Sequence, residues 1–424
     1  MLPVTPRGFK DVLPDEARWR ESISTKVQHV LSSWGYAPIE TPTLEVLDVL
    51  EQGGRLAEPP FRLFDSDGAL LVLRPDVTLP VARLVASRLA LAGGPAGRPP
   101  ARLASGSAVS SPTGLASEPV ASLSAGPTSE ASPTPPVCAD APLRFRYVQP
   151  VFREEESLRG QAREFTQIGI EAIGPSGPAA DAEVVLLMRD ALKACGLVDF
   201  TIAICTVGVL RELLDVIVRD SEVGPSWRDE VLAACHLSNA VELAALADDP
   251  RVERRYGQAL KELSGLRGGG DAIRRCQELA GPLGCTDGLD VLAKTYGIVE
   301  EMGAAGQVTV DFSVMSAFDY YTGLVFAAYA PKLGVPLGAG GRYDRMLEAY
   351  GAKAPAAGFA FGLDRVMTAL AEQGVTAAAD ILDPPCAAVE VDADAPAVAF
   401  AEAARLRAAG MRAVLVQPGE RRKR

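Results

Sequence analysis

Residues 152–171 read FREEESLRGQAREFTQIGIE and carry the strongest structural signal in this 424-residue chain. Apolar residues alternate with polar ones on both sides of a charged stretch, a pattern that predicts two strands joined by a polar loop. Arg153 and Arg163 flank the loop, ten residues apart. Gln167 and Glu171 lie four residues apart, and this even spacing places both side chains on one face of the second strand. The stretch predicts a hairpin that presents an amide and a carboxylate together.

Four other motifs accompany this hairpin. LRPDVT (residues 73–78) precedes it, and FDYYTG (318–323), GAGGRYD (338–344) and GFAFGLDR (358–365) follow it. The last motif predicts a strand-to-helix junction whose glycines allow a close approach of backbone or ligand. Residues 200–210 are predicted to form a buried strand, because they are almost continuously apolar.

These motifs, in this order, resemble the catalytic core of histidyl-tRNA synthetase, a class II aminoacyl-tRNA synthetase. The resemblance covers roughly residues 5–370. It implies an α+β fold, in which an antiparallel sheet is flanked by helices within a core at residues 1–370. It also implies a small, mostly helical insertion at 210–306 and a short C-terminal βαβ segment at 371–424.

The resemblance implies a ligand site as well. The residues that match the family's histidine-binding positions are Asp76, Thr78, Gln167, Glu171, Tyr320 and Tyr321, and those that match its nucleotide- and phosphate-binding positions are Arg153, Arg163 and Arg365. The residue types suit these roles. A carboxylate accepts from an imidazole N–H, a tyrosine hydroxyl on the other side reads the second nitrogen, and the arginine fork grips a phosphate.

Each motif also has a structural interpretation. Asp76 stands where the family usually carries Glu, and either Asp76 or Thr78 also fits as the N-cap of the helix predicted from about residue 78. The aromatic pair Tyr320 and Tyr321 also fits the packing of a core strand. Gly358 and Gly362 also fit tight packing between a helix and the sheet.

One catalytic residue of the family is missing. The synthetase carries an Arg five residues before the second Tyr of the YY pair, and this chain has Ser316 there, without a basic neighbour. Adenylate formation concentrates negative charge on a phosphate, and the loss of one stabilising donor typically costs on the order of 10²–10³ in rate. A binding site without this cation suggests a protein that senses histidine but does not activate it.

Two segments depart from the family in length. About two-thirds of residues 93–137 are Pro, Ser, Ala or Gly, so this segment is predicted to be a disordered insertion within one domain. Residues 371–424 follow the core, where the synthetase has an anticodon-binding domain of on the order of 100 residues. A shortened native domain and a truncated sequence both explain this difference.

Composition narrows the function further. The formal charge of −12 and the pI of about 4.9 make tRNA an unexpected partner. The sequence begins without an apolar signal segment and has no long apolar run, so a cytoplasmic protein without a membrane span is expected. His29 and His236 are the two histidines of the chain, so neither a metal site nor a cofactor is predicted.

Within the family, these departures resemble the regulatory subunits of ATP phosphoribosyltransferase. That resemblance implies a non-catalytic chain that forms a dimer within a hetero-octamer with a short catalytic subunit. Its expected role is to support catalysis in the first step of histidine biosynthesis and to mediate inhibition by the effector L-histidine. Two alternatives remain at this stage: an active histidyl-tRNA synthetase with a divergent loop, and a stand-alone histidine-binding protein.

Overall fold

The computed structural model describes residues 5–54, 59–89, 142–154, 162–237, 239–314, 320–378, 381, 386–392 and 396–416. The predictions made for the insertion at 93–137 and for Ser316 lie outside the described residues.

The N-terminal part of the chain consists of one long helix followed by short elements. These are α1 (Pro14–Ser33), β1 (Ala37–Pro38), β2 (Leu44–Val46), α2 (Leu47–Gln52), β3 (Arg62–Phe64), β4 (Leu70–Leu73) and α3 (Thr78–Leu84), which continues as a π-helical turn (Val85–Leu89). Helix α1 buries Ile23, Val27 and Leu31 at helical spacing. The turn at Gly68, with φ of 87°, joins β3 and β4 as an antiparallel hairpin.

The next elements form the predicted hairpin and a strand between two helices. They are β5 (Leu143–Phe152), β6 (Glu164–Ile173), α4 (Pro178–Cys195), β7 (Thr201–Thr206) and α5 (Val207–Asp220). The prediction of a strand over residues 200–210 is wrong in its second half. The strand ends at Thr206, whose hydroxyl accepts from the Gly208 amide at 3.4 Å and thereby caps α5.

The remaining elements are a helical segment, five more strands of the large sheet and a C-terminal unit. They are α6 (Pro225–His236), α7 (Ala240–Ala247), α8 (Arg254–Gly265), β8 (Arg267–Gly268), α9 (Gly270–Ala280), α10 (Leu289–Glu301), β9 (Val308–Asp311), β10 (Leu324–Tyr329), β11 (Gly338–Arg342), β12 (Ala356–Gly362), α11 (Leu363–Glu372), β13 (Cys386–Glu390), α12 (Pro396–Ala408) and β14 (Arg412–Val416). None of the described helices is both long and apolar enough to cross a membrane.

One large sheet organises the described core. Its strand order is β1-β5-β6-β12-β11-β10-β7-β9-β8. Neighbours from β5 to β7 run antiparallel, whereas β1 pairs with β5 and β9 pairs with β7 in parallel. The predicted α+β class with a mainly antiparallel sheet flanked by helices is confirmed.

Two smaller sheets accompany it. Strands β2, β4 and β3 form an antiparallel sheet, and β13 and β14 form a parallel pair connected through α12. The C-terminal residues therefore have the predicted βαβ order.

Glycines allow the central strands to pack closely beside large side chains. A Cβ atom on Gly341 would collide with the ring of Tyr321, and one on Gly358 would collide with the carboxylate of Glu171. The glycines of β11 and β12 therefore leave room for the side chains that form the candidate site.

Candidate functional site

A cavity of about 370 Å³, here called the ligand cavity, lies against the central strands. Its walls include seven of the nine residues that the sequence predicts for the site: Asp76, Thr78, Arg153, Gln167, Tyr320, Tyr321 and Arg365. Glu171 lies behind the wall and is bonded to two residues that line it. Arg163 does not line this cavity.

Glu171 is the centre of a buried network of hydroxyl groups. Its carboxylate accepts from Thr78 Oγ1 at 2.7 Å, from the Tyr147 hydroxyl at 3.3 Å and, at very short range, from the Tyr343 hydroxyl. Only 1% of Glu171 is exposed. When Glu171 is ionised, the hydroxyls of Thr78 and Tyr343 direct their protons at it, and their oxygens remain as acceptors.

Burial changes the protonation of this network. The pKa of Glu171 is raised to about 8, first because the carboxylate is buried, and further by the nearby charge of Asp76. The three hydroxyl donors act in the opposite direction and stabilise the ionised form. A bound cation would lower the pKa of Glu171, so this part of the cavity favours a positively charged ligand.

Asp76 combines the two roles that the sequence left open. Its Oδ1 accepts from the Leu79 amide at 3.0 Å near the start of α3, and the residue also lines the cavity. Burial raises the pKa of Asp76, while the Leu79 amide and the charge of Arg153 lower it. A helix-capping contact and a negative charge facing the ligand therefore coexist in one side chain.

Gln167 supplies an acceptor that lacks a donor. Its Oε1 is buried and has no hydrogen-bond partner among the described residues, and the residue lines the cavity. A buried carbonyl oxygen left without a donor costs about 1–3 kcal/mol, so a ligand N–H at this position would be favourable.

Three tyrosine rings form the aromatic part of the wall. The ring centroids of Tyr320 and Tyr321 are 4.8 Å apart, and the ring of Tyr343 meets that of Tyr320 edge to face at 5.9 Å. Sequence reasoning missed Tyr343 and Tyr147 as partners of Glu171. Tyr343 stands in the GAGGRYD motif, which was its only signal, and Tyr147 occupies an alternating position of β5 that indicated packing alone.

The two arginines of the cavity contact the main chain. Arg153 donates through Nε to the Pro75 carbonyl at 3.0 Å, and its guanidinium lies 5.1 Å from the centre of the Phe165 ring. Arg365 donates through Nη1 to the Pro336 carbonyl at 3.0 Å. We call Asp76, Glu171 and Tyr343 the acidic end of the cavity, and Phe165 and Arg365 the arginine end. Arg153 lies between them, because it bonds to Pro75 and its charge acts on Asp76.

Arg163 has a different environment. Its guanidinium lies 4.3 Å from the centre of the Phe61 ring and contacts Glu154 at 3.4 Å. Its amide donates to the Gly8 carbonyl at 2.8 Å, so Arg163 joins the hairpin to the N-terminal segment.

His236, at the end of α6, lines the ligand cavity. Among the described residues, no group of three or more His, Cys, Asp or Glu is arranged to hold a metal ion.

Comparison with known proteins agrees with this architecture. Residues 8–103 and 136–366 match a family model described as histidyl-tRNA synthetase. The chain is 33% identical over 363 residues to the ATP phosphoribosyltransferase regulatory subunit of Desulforamulus reducens, an alignment that covers 86% of this chain and 78% of the relative. It is 31% identical over 372 residues to the protein of the same name from Moorella thermoacetica, with coverage of 87% and 82%.

A solved structure extends the similarity to the fold. The crystal structure of an ATP phosphoribosyltransferase regulatory subunit/histidyl-tRNA synthetase from Bacillus halodurans C has a TM-score of 0.76 and 29% sequence identity to this chain. The alignment covers 100% of this chain and 95% of that one.

Proposed function

We propose that this chain, which belongs to the family of ATP phosphoribosyltransferase regulatory subunits built on the histidyl-tRNA synthetase fold, binds L-histidine in the ligand cavity and thereby regulates a separate catalytic subunit. The proposal places the chain in the first step of histidine biosynthesis. Its catalytic partner is a short-form ATP phosphoribosyltransferase subunit, with which it forms a hetero-octamer that contains dimers of this chain.

The acidic end carries the proposal. Asp76 offers a carboxylate, and Thr78 and Tyr343 offer hydroxyl oxygens. Farther along β6, Gln167 adds an amide oxygen that has no partner within the part of the chain that the structure describes. Such a wall is rich in acceptors, and its matching ligand has several N–H donors, a positive charge and a flat ring that packs on tyrosine. Histidine fits this description. Its ammonium group supplies a positive charge and N–H donors, and its imidazole is a flat ring with a further N–H.

Regulation without adenylate chemistry is part of the same proposal. Ser316 replaces the arginine that the synthetase resemblance expects, so one of the positive charges that would stabilise the attacked phosphate is missing. Histidine can regulate a partner only if it binds one state of the assembly more tightly than another. The cavity is then a sensor whose occupancy shifts that equilibrium.

The test measures phosphoribosyl transfer by the short catalytic subunit with and without this chain, over a series of histidine concentrations. We expect activity to require this chain and to fall as histidine is added. Glu171→Ala should weaken histidine binding, measured by calorimetry, by about 1.5 kcal/mol or more, the cost of losing a charged hydrogen-bond partner.

Glu164→Ala is the matched control, because Glu164 is an exposed carboxylate on the same strand. It should leave histidine affinity unchanged. Unchanged affinity in Glu171→Ala would refute the cavity assignment, and no effect of the chain on phosphoribosyl transfer would refute the regulatory role. Robust histidine-dependent exchange between ATP and pyrophosphate would instead identify an active synthetase.

A further inference from the structure

A second cavity, of about 210 Å³, lies next to the ligand cavity, and we call it the rear cavity. Its walls include Asp181, Thr322, Gly323, Arg342 and Asp344. Two short segments separate the cavities. In each segment, tyrosines line the ligand cavity while the adjoining residues line the rear cavity: Tyr320 and Tyr321 precede Thr322, and Tyr343 follows Arg342.

A buried ion pair anchors the second of these segments. Arg342 is 6% exposed and Asp181, in the first turn of α4, is 1% exposed. Arg342 donates through Nε to Asp181 at 2.7 Å and through Nη1 to Asp344 at 3.0 Å. The Pro175 carbonyl accepts a further bond from Nη1 at 3.3 Å. The guanidinium is thus held from several directions.

Hydrogen bonds connect this ion pair to the first segment. The Thr322 amide donates to the Arg342 carbonyl at 2.7 Å, and the Asp344 amide donates to Thr322 Oγ1 at 3.0 Å. The Ala356 amide donates to Asp344 Oδ1 at 3.0 Å. A displacement of Arg342 would therefore move both tyrosine-bearing segments together.

We propose that Asp181, Arg342 and Asp344 are positioning residues, which act from the rear cavity to hold the Tyr343 hydroxyl on Glu171 and so set the affinity of the ligand cavity. The inference deepens the proposed function, and it rests on that function only for its affinity readout. Loss of the Asp181 charge removes the more deeply buried partner of Arg342, so we expect the guanidinium to shift toward Asp344.

The first experiment is a crystal structure of the Asp181→Asn variant. We expect the Tyr343 hydroxyl to leave Glu171 as Arg342 is released. Glu183→Gln is a matched control, because Glu183 lies on the same helix and binds Arg144 at 2.8 Å, outside the rear cavity. Its structure should retain the Tyr343 contact. If Asp181→Asn does not fold, Asp344→Asn removes the half-exposed partner of Arg342 and serves the same purpose.

The second experiment measures histidine affinity in a double-mutant cycle. Asp181→Asn should weaken binding about tenfold in the native background and less than about twofold in a Tyr343→Phe background, because residues that act through one contact are not additive. Equal weakening in both backgrounds would assign Asp181 a general structural role and overturn the proposal.

An unmoved Tyr343 in the crystal structures would also overturn it. If the native chain binds no histidine, the proposed ligand fails, while the crystal structures still decide whether these residues position Tyr343.

Discussion

The two ends of the ligand cavity use charged groups in opposite ways. At the acidic end, Asp76 and Glu171 are buried carboxylates whose bonding partners are hydroxyl groups and a main-chain amide. Arg365 at the arginine end, and Arg153 between the two ends, each donate to a main-chain carbonyl. The acidic end suits a cationic ligand, whereas the arginines are hydrogen-bonded to the main chain of the protein.

This difference locates the part of the cavity where a ligand has most to contribute. Burial raises the pKa of Asp76 and Glu171, so ionisation of these two carboxyl groups is unfavourable in the empty cavity. A bound ligand with a positive charge would favour their ionised forms. The Gln167 oxygen adds a buried acceptor without a described donor. A ligand with N–H donors satisfies these groups together, and the comparison can be tested at each end separately.

The largest effect is expected in the pH dependence of stability. The pKa of Glu171 is about 8 in the folded chain, against an ordinary value of 4.5, so the folded state binds more protons between these values. The contribution of Glu171 to the free energy of unfolding is therefore lost as the pH rises from the ordinary pKa to the raised one. Glu171→Gln removes the titration and should gain about 3 kcal/mol relative to the native chain between pH 5 and pH 8.

Calorimetric melting without histidine measures this difference. Glu183→Gln is the control, because the Arg144 contact lowers the pKa of Glu183, and its contribution to stability is constant across the same window. If the difference in unfolding free energy between the native chain and Glu171→Gln does not change with pH, then Glu171 does not hold a proton in the folded chain.

The second effect concerns the space beside Glu171. A Cβ atom on Gly358 would collide with the Glu171 carboxylate and the Ile170 carbonyl, so Gly358→Ala should lower the free energy of unfolding by about 2 kcal/mol. Gly362, four residues along the same strand, is the matched control at the arginine end. An added Cβ there meets its nearest atoms, in Arg365 and Phe165, at 3.7 Å, and Gly362→Ala should cost less than about 1 kcal/mol.

Chemical or thermal unfolding of the two variants provides the measurement. Equal losses at Gly358 and Gly362 would mean that the acidic end is packed no more tightly than the arginine end. The sequence had offered both glycines the same role in helix-to-sheet packing, and the structure separates them.

Local signals carried most of the prediction of the fold. Alternation over β5 and β6 and the glycine-rich junction before α11 are both readable within a few residues. The strand prediction at residues 200–210 failed because a single hydroxyl cap, at Thr206, outweighed an apolar run that suits strand and helix equally.

The site depended on contacts that the sequence does not display. The partners of Glu171 are separated from it by 24 residues at Tyr147 and by 172 residues at Tyr343. Family resemblance located Glu171 and Thr78 but did not pair their side chains. Only the register of the assembled sheet brings the tyrosine hydroxyls to the carboxylate, so these contacts required the structure.

The smallest effect is expected at Arg365. Gly358 pairs with Glu171 and Gly362 pairs with Gln167, so these two positions lie four strand residues, about 13 Å, apart, and Arg365 follows Gly362 in α11. Arg365 already donates to the Pro336 carbonyl, and it is not among the groups that the proposal assigns to histidine. Arg365→Met should therefore change histidine affinity by less than about 0.5 kcal/mol, measured by the same calorimetry as Glu171→Ala. A loss of affinity as large as that of Glu171→Ala would mean that the ligand reaches both ends of the cavity, as an amino acid joined to a nucleotide would. The distinction between a ligand-binding acidic end and a structural arginine end would then be wrong.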